Sequence, residues 1–280
     1  MVSEATTGSW FAMLRPAEMR QEQRKCAFGL IGAACEYWHE RKWRVALALL
    51  CFAALFLGNI AFVITSRTVF VVAPALVFVL GWRQFGLRGT LAACVVAGAL
   101  AGALWFSSST LRERIFHSIE ELSVYRDTNS VYLNSNEMNS TGLHVEFFRK
   151  SLQIMEAAPF IGHGTGSIPD QFRRAATGKT DAAAVVTVNP HNRIFAVTIQ
   201  LGLLGTVVLL AMWVAHFMLF RGGGMTAWIG TIIVVQNVAS SLFNSHLFDF
   251  TQGWLYVFGV GIAGGTVLRV QRSASAMAKP

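Results

Sequence analysis

Charged residues are scarce in this sequence. Asp, Glu, Lys and Arg make up 14% of its 280 residues, where soluble domains average about 25%. That shortage leaves no room for a large soluble domain beyond one polar stretch of roughly 85 residues. Cysteine is scarce too: Cys26, Cys35, Cys51 and Cys94 all precede that stretch and show no CxxC or metal-ligand spacing. No disulfide framework is indicated, and Cys51 and Cys94 read as small hydrophobes inside apolar runs. Residues 1–25 lack the continuous apolar core that a cleavable signal peptide needs. Residues 1–44 are therefore expected to form a cytoplasmic or interfacial segment. No internal repeat is visible.

Apolar residues are what is present. They make up 54% of the chain, in several runs that approach the roughly 20 residues needed to cross a bilayer. The expected fold class is an all-α integral membrane protein with about six transmembrane helices and one long extracytoplasmic loop containing amphipathic helices. The runs are about Val45 to Thr65, Val69 to Trp82, Gly89 to Phe106, Ile194 to Phe220, Met225 to Phe243 and Phe248 to Leu268. Residues 45–106 thus hold three spans, 107–193 the loop region, 194–268 three more and 269–280 a cytoplasmic tail. Arg41 to Arg44, Arg83, Arg88, Arg221, Arg269, Arg272 and Lys279 all fall on one side of this arrangement. Lys and Arg collect on the cytoplasmic side of short loops, so the formal charge of +8 needs no nucleic acid partner.

Within the loop region, Leu111 to Val124 places Ile115, Phe116, Ile119 and Leu122 at helical spacing and predicts an amphipathic helix. Asp127 to Thr141, rich in Asn and Ser, reads as loop. Val145 to Ala157 is again helical in pattern; Pro159 stops it and a bend over Gly162, Gly164 and Gly166 follows. Ala175 to Val188 is expected to be a flexible surface segment. Pro190 then delivers His191 and Asn192 to the mouth of the fourth span.

Two residues stand out for chemistry. Imidazole passes protons near neutral pH, so His191 is either a general base for a hydroxyl or an interfacial histidine bonded to a neighbour. Arg67, at the outer end of an apolar run, either snorkels to the headgroups or aims its planar fork at a phosphate. The glycine series follows a helix and lacks the Lys-Ser/Thr ending of a P-loop; it is a helix stop, or a turn that brings amides near a ligand. Glu146, Arg149 and Lys150 are spaced to pair locally. His216, inside the fourth span, reads as a packing residue, and His246 lies in an outer turn. The outer acids Glu146, Asp170 and Asp249 form no spaced metal motif, so a metal-independent reaction without a cofactor is expected.

Several elements in order now carry a likeness: Thr65-Ser66-Arg67-Thr68, Gly142-Leu143-His144-Val145-Glu146-Phe147, Pro159 to Gly166, Asn189-Pro190-His191-Asn192 and Gln200 to Gly205. Together they resemble the O-antigen ligase / O-antigen polymerase superfamily over about residues 45–268. The resemblance implies a multi-pass protein of the bacterial inner (cytoplasmic) membrane with a periplasmic active face. It would transfer a glycan from undecaprenyl diphosphate to a sugar hydroxyl, with inversion. The acceptor is lipid A-core in ligases and another lipid-linked glycan in polymerases. On this likeness His191 is the catalytic residue, and Arg67 binds the diphosphate. Pro190, Asn192, Gly162, Gly164 and Gly166 shape the site. Two positions depart from the family pattern: His144 stands where an arginine is common, and Arg193 where an acidic residue is. Arg149, about a turn beyond His144, and Arg193 are candidate diphosphate contacts alongside His144.

The span count is about half the family's usual complement. A truncated, non-catalytic component of envelope glycan assembly is therefore an alternative, as is a natural short form that needs a partner subunit. A transporter would place ionisable residues along its spans, whereas here they gather at one membrane face.

Overall fold

The structure, a computed structural model, describes residues 16–62, 69–128, 132–134, 137–244 and 250–277. The element order is α1 (Pro16–His39), α2 (Trp43–Phe62), α3 (Val69–Ser107), α4 (Ser109–Thr128), β1 (Tyr132–Asn134), β2 (Glu137–Met138), α5 (Ser140–Ala157), α6 (Ile168–Ala176), a 3-10 turn (Asp181–Ala184), α7 (Arg193–Leu219), α8 (Met225–Ser241) and α9 (Phe250–Met277). Among the described residues, three helices are long and apolar enough to cross a membrane: Gly86–Ser107, Arg193–Leu219 and Gln252–Met277. Shorter apolar helices run over Trp43–Leu55 and Val72–Arg83. The molecule is a multi-span helical membrane protein. Among the described residues, the one departure from an all-α fold is the antiparallel ribbon β1–β2, which falls where a plain loop was expected.

Two of the long helices are sharply bent. α3 departs from helical geometry at Gly86, and a Cβ placed on Gly81 would stand 2.7 Å from the Thr90 Cα. A straight helix would separate those residues by about 13 Å. The chain therefore turns back on itself, and the second and third apolar runs are the two arms of a hairpin. α7 breaks in the same way at Gly202. The Thr198 and Thr206 hydroxyls meet at 2.7 Å, against a rise of about 12 Å in a straight helix. The fourth expected span, Ile194 to Phe220, coincides with the apolar helix Arg193–Leu219 and is divided at Gly202 into a short arm Arg193–Leu201 and a longer arm Leu203–Leu219.

A second segment closes that bend. The turn after α5 crosses α7 so that Leu203 N–H donates to Pro159 O (2.7 Å) and Leu204 N–H to Phe160 O (3.2 Å). In return His163 N–H donates to Ile199 O and Gly164 N–H to Gln200 O, both at 2.9 Å. The backbones touch because both crossing residues are glycine with left-handed φ, +68° at Gly162 and +61° at Gly202. A Cβ on Gly162 would lie 2.5 Å from the Gln200 carbonyl carbon, and one on Gly202 would overlap the Phe160 carbonyl.

Three apolar clusters hold the bundle. α7, α8 and α9 share one around Leu209, Trp213, Val234, Tyr256 and Val260. α1, α3 and α8 share another around Phe28, Leu76, Trp228 and Ile232. The third, outside the apolar arms, joins α5, α6 and the short arm of α7 through Phe147, Ile154, Ile168, Phe172 and Ile199. α1, from the segment expected to be cytoplasmic or interfacial, places Ala27, Phe28 and Ala34 inside the bundle. The expected flexible surface segment Ala175 to Val188 lies largely at the surface and is anchored to α5. Ala182 is buried, and Lys150 Nζ on α5 donates to Val185 O at 2.6 Å and to Ala182 O at 3.5 Å. The segment is held both by this buried ammonium and by packing of Ala175 and Val185 against the third cluster.

Replacing Gly202 by Ala combines a left-handed φ with an overlap, and Gly162→Ala does the same. Each should cost roughly 2–5 kcal/mol, read as a lower thermal unfolding midpoint in detergent. Gly164→Ala, which meets no atom within 4 Å, should cost only about 1–2 kcal/mol from its φ.

Candidate functional site

α5 and the entrance of α7 build the site. α5 is started by Asn139, whose side-chain oxygen accepts from Gly142 N–H at 2.6 Å. From α4, the buried Glu121 carboxylate accepts from the Ser140 and Thr141 amides at 3.3 and 3.1 Å and from the Thr141 hydroxyl. An anion at the amino end of a helix meets free N–H groups and the positive end of the helix dipole. The α4–α5 pair is thereby fixed at the point from which His144 projects.

The second anchor is Glu146, fully buried. It accepts from the Tyr125 hydroxyl of α4 at 2.8 Å and from Arg149 Nε and Nη2 at 3.1 and 2.9 Å. Lys150 Nζ stands 3.8 Å away. Burial alone would push the Glu146 carboxyl up; the hydrogen bonds from Arg149 and Tyr125 and the two cationic charges outweigh it and hold the group below its ordinary value. Burial and the bond to Glu146 push the Tyr125 hydroxyl up to about 12. Burial also lowers the Lys150 ammonium, with Glu146 opposing.

The entrance of α7 is equally determined. Asn192 caps the helix, accepting from Phe195 N–H at 3.1 Å while its amide donates to Leu242 O at 3.1 Å. Pro190 is buried just before it. His191 sits at φ +54°, a left-handed backbone that a residue with a Cβ rarely adopts. Its N–H donates to the Asn189 side-chain oxygen at 2.9 Å, the local bond by which asparagine shapes such turns. Asn189 in turn is tied to the Thr187 hydroxyl at 2.8 and 3.0 Å.

These two constructions meet at the rings. His191 and His144 lie edge to face with centroids 4.8 Å apart. Phe147, one turn after His144 on α5, stacks against His191 at 6.0 Å and 14°. His144 is exposed and His191 half-buried. The pair therefore offers a proton-exchanging group that is held by its neighbours and reached from outside.

The O-antigen ligase family profile matches residues 52–210, the region from α2 into the long arm of α7. The chain belongs to the O-antigen ligase family. No curated protein matches it. In this family member the other sequence-derived candidates fall in different places. Arg149 is half-exposed but paired with Glu146. Arg193 is fully buried and directs Nη1 to Asn237 Oδ1 of α8 at 3.3 Å, away from solvent. Gly162 makes the crossing with α7, while Gly164 and Gly166 bond to Gln200, the latter through Gly166 N–H to the side-chain oxygen at 2.7 Å. Arg67, His246 and Asp249 lie outside the described residues. His216 contacts the Tyr256 hydroxyl at 2.7 Å, a helix-to-helix bond as its packing role implies. Among the described residues no group of three or more His, Cys, Asp or Glu is placed to hold a metal ion.

Phe147 and Asn189 fall within elements that carry the likeness, though the sequence assigned neither a role at the site; Tyr125 and Asn237 were missed, because they are visible only as contacts between distant elements.

Glu146 gives a pH prediction. Because its folded pKa is lowered, its stabilisation is complete above about pH 5 and fades as pH falls through the folded value. Glu146→Gln leaves Lys150 buried without its counter-charge. It should cost roughly 3–5 kcal/mol at pH 7 and flatten the acid limb of a stability-against-pH curve measured in detergent.

Proposed function

We propose that this chain transfers a glycan from undecaprenyl diphosphate to a sugar hydroxyl on the periplasmic side of the bacterial inner membrane, with lipid A-core as acceptor. The observation that carries the reading is the His144–His191 pair at the α7 entrance, in a chain of the O-antigen ligase family. The acceptor oxygen bonds to the anomeric carbon as the bond from that carbon to the diphosphate oxygen breaks, inverting the centre. The hydroxyl proton passes to the His191 imidazole, and undecaprenyl diphosphate leaves with the electron pair. Cationic groups beside the diphosphate favour that departure, the role assigned to Arg67.

His144 and Phe147 support His191 differently. Phe147 fixes the plane of the His191 ring by stacking, and His144 shares its open edge. His144 is also placed to donate to a diphosphate oxygen through one ring N–H, without the two-pronged grip of an arginine. Arg149 would serve a diphosphate by yielding part of its pairing with Glu146. Arg193 acts in this reading as a buried support of the α7 entrance.

In proteoliposomes supplied with an undecaprenyl diphosphate-linked glycan and lipid A-core, His191→Ala should abolish transfer. Unchanged transfer would remove the general-base role. Arg67→Lys should lower the rate strongly. Product on a lipid-linked glycan, with none on lipid A-core, would convert the reading to a polymerase. Absence of product from the unaltered chain with either acceptor would leave a non-catalytic component.

A further inference from the structure

The bend in α7 has to satisfy a backbone in a place where water is scarce. Breaking the helix at Gly202 frees the amides of Leu203 and Leu204 and the carbonyls of Ile199 and Gln200. All four are bonded by the turn from Pro159 to Gly164. A bend in water needs no such second strand, whereas non-helical backbone at membrane depth has to be bonded by protein. The depth follows from length. The arm Leu203–Leu219 rises about 25 Å, short of the roughly 30 Å hydrocarbon core. With Phe220 and Arg221 at one boundary, the bend lies at or just inside the other.

That geometry fixes where the crossing turn sits. Phe160 and Ile161, at its tip, are 72% and 76% exposed. They adjoin the exposed Leu203 and Leu204, to which the turn is bonded, so their apolar surface continues the outer surface of the long arm. α5 extends the same character with exposed Val145, Phe148 and Leu152 at helical spacing. Phe148 packs on Phe195 of the short arm, centroids 4.2 Å apart. Polar loop tips show small or charged residues; this one shows an aromatic and a β-branched side chain on a turn locked by four backbone bonds.

We propose that the Phe160–Ile161 tip is inserted among the acyl chains of the leaflet on the α5 side, docking the loop region onto the bilayer at the carboxyl end of α5. The occupant of this surface is lipid, because the tip is continuous with a membrane-crossing arm and lies at its depth. The inference rests on the membrane reading of α7 and is independent of the transfer reaction.

The test is a depth measurement on the full chain in phospholipid nanodiscs. With Cys26, Cys35, Cys51 and Cys94 replaced by Ala, nitroxide labels are placed singly by Phe160→Cys, Ile161→Cys and, as an exposed polar reference, Lys179→Cys. Labels at 160 and 161 should collide more with oxygen, which concentrates in lipid, and less with an aqueous nickel chelate than the label at 179. Nickel accessibility at 160 and 161 equal to that at 179 would overturn the proposal. So would labels immobile and shielded from both reagents, which would place a protein surface, a second copy included, over the tip.

Discussion

The placement of the short arm of α7 against α5 and α6 depends on one backbone-to-backbone crossing. Gly162 and Gly202 approach closely enough for the turn after α5 to complete the hydrogen bonding that α7 gives up. Remove it, and α7 either straightens or carries bare amides at membrane depth, an expensive state. The crossing also orients the short arm Arg193–Leu201, packs it on α5 and α6 through Ile199 and Phe172, and so sets the distance between the helix bearing His144 and the entrance bearing His191. Site geometry is thus a consequence of how a broken membrane helix is repaired.

The fold was partly legible. Length and apolar content located the helical runs, and Arg83 and Arg88 marked the turn between the arms of α3. The break in α7 was not legible, because Leu201-Gly202-Leu203-Leu204-Gly205 is apolar throughout and glycine is common in membrane helices. Only the distant partner segment makes Gly202 a bend. The anchoring of Ala175 to Val188 was not legible for a related reason: its small residues give no period, while a lysine on another helix and the third cluster hold it. The start of α5 at Ser140, five residues before its apolar pattern, reflects Asn139 and Glu121 capping rather than burial.

The site was legible as residues but not as an arrangement. His191 and His144 each belong to a recognisable element, yet nothing in the chain says that their rings touch. The arginines show the opposite limit. Arg149 and Arg193 look equivalent as cations near the site, but Glu146 engages one and α8 encloses the other. Which cation is available depends on the partner across the interface, and one sequence does not display it.

The other end of α7 bears on motion. Arg83, at the turn of α3, donates to Phe220 O at 3.0 Å, to the Thr231 hydroxyl at 2.9 Å and to Gly222 O at 2.5 Å, with its guanidinium 5.7 Å from the Trp228 ring. A cation on the last carbonyls of a helix is favoured by the helix dipole. The long arm of α7 is therefore held at both tips by segments remote in the chain, and it behaves as a strut of set length that resists sliding along its own axis. The second arm of α3 is stopped in a similar way at its carboxyl end, where Arg112 donates to the Trp105 and Phe106 carbonyls at 2.6 and 3.0 Å.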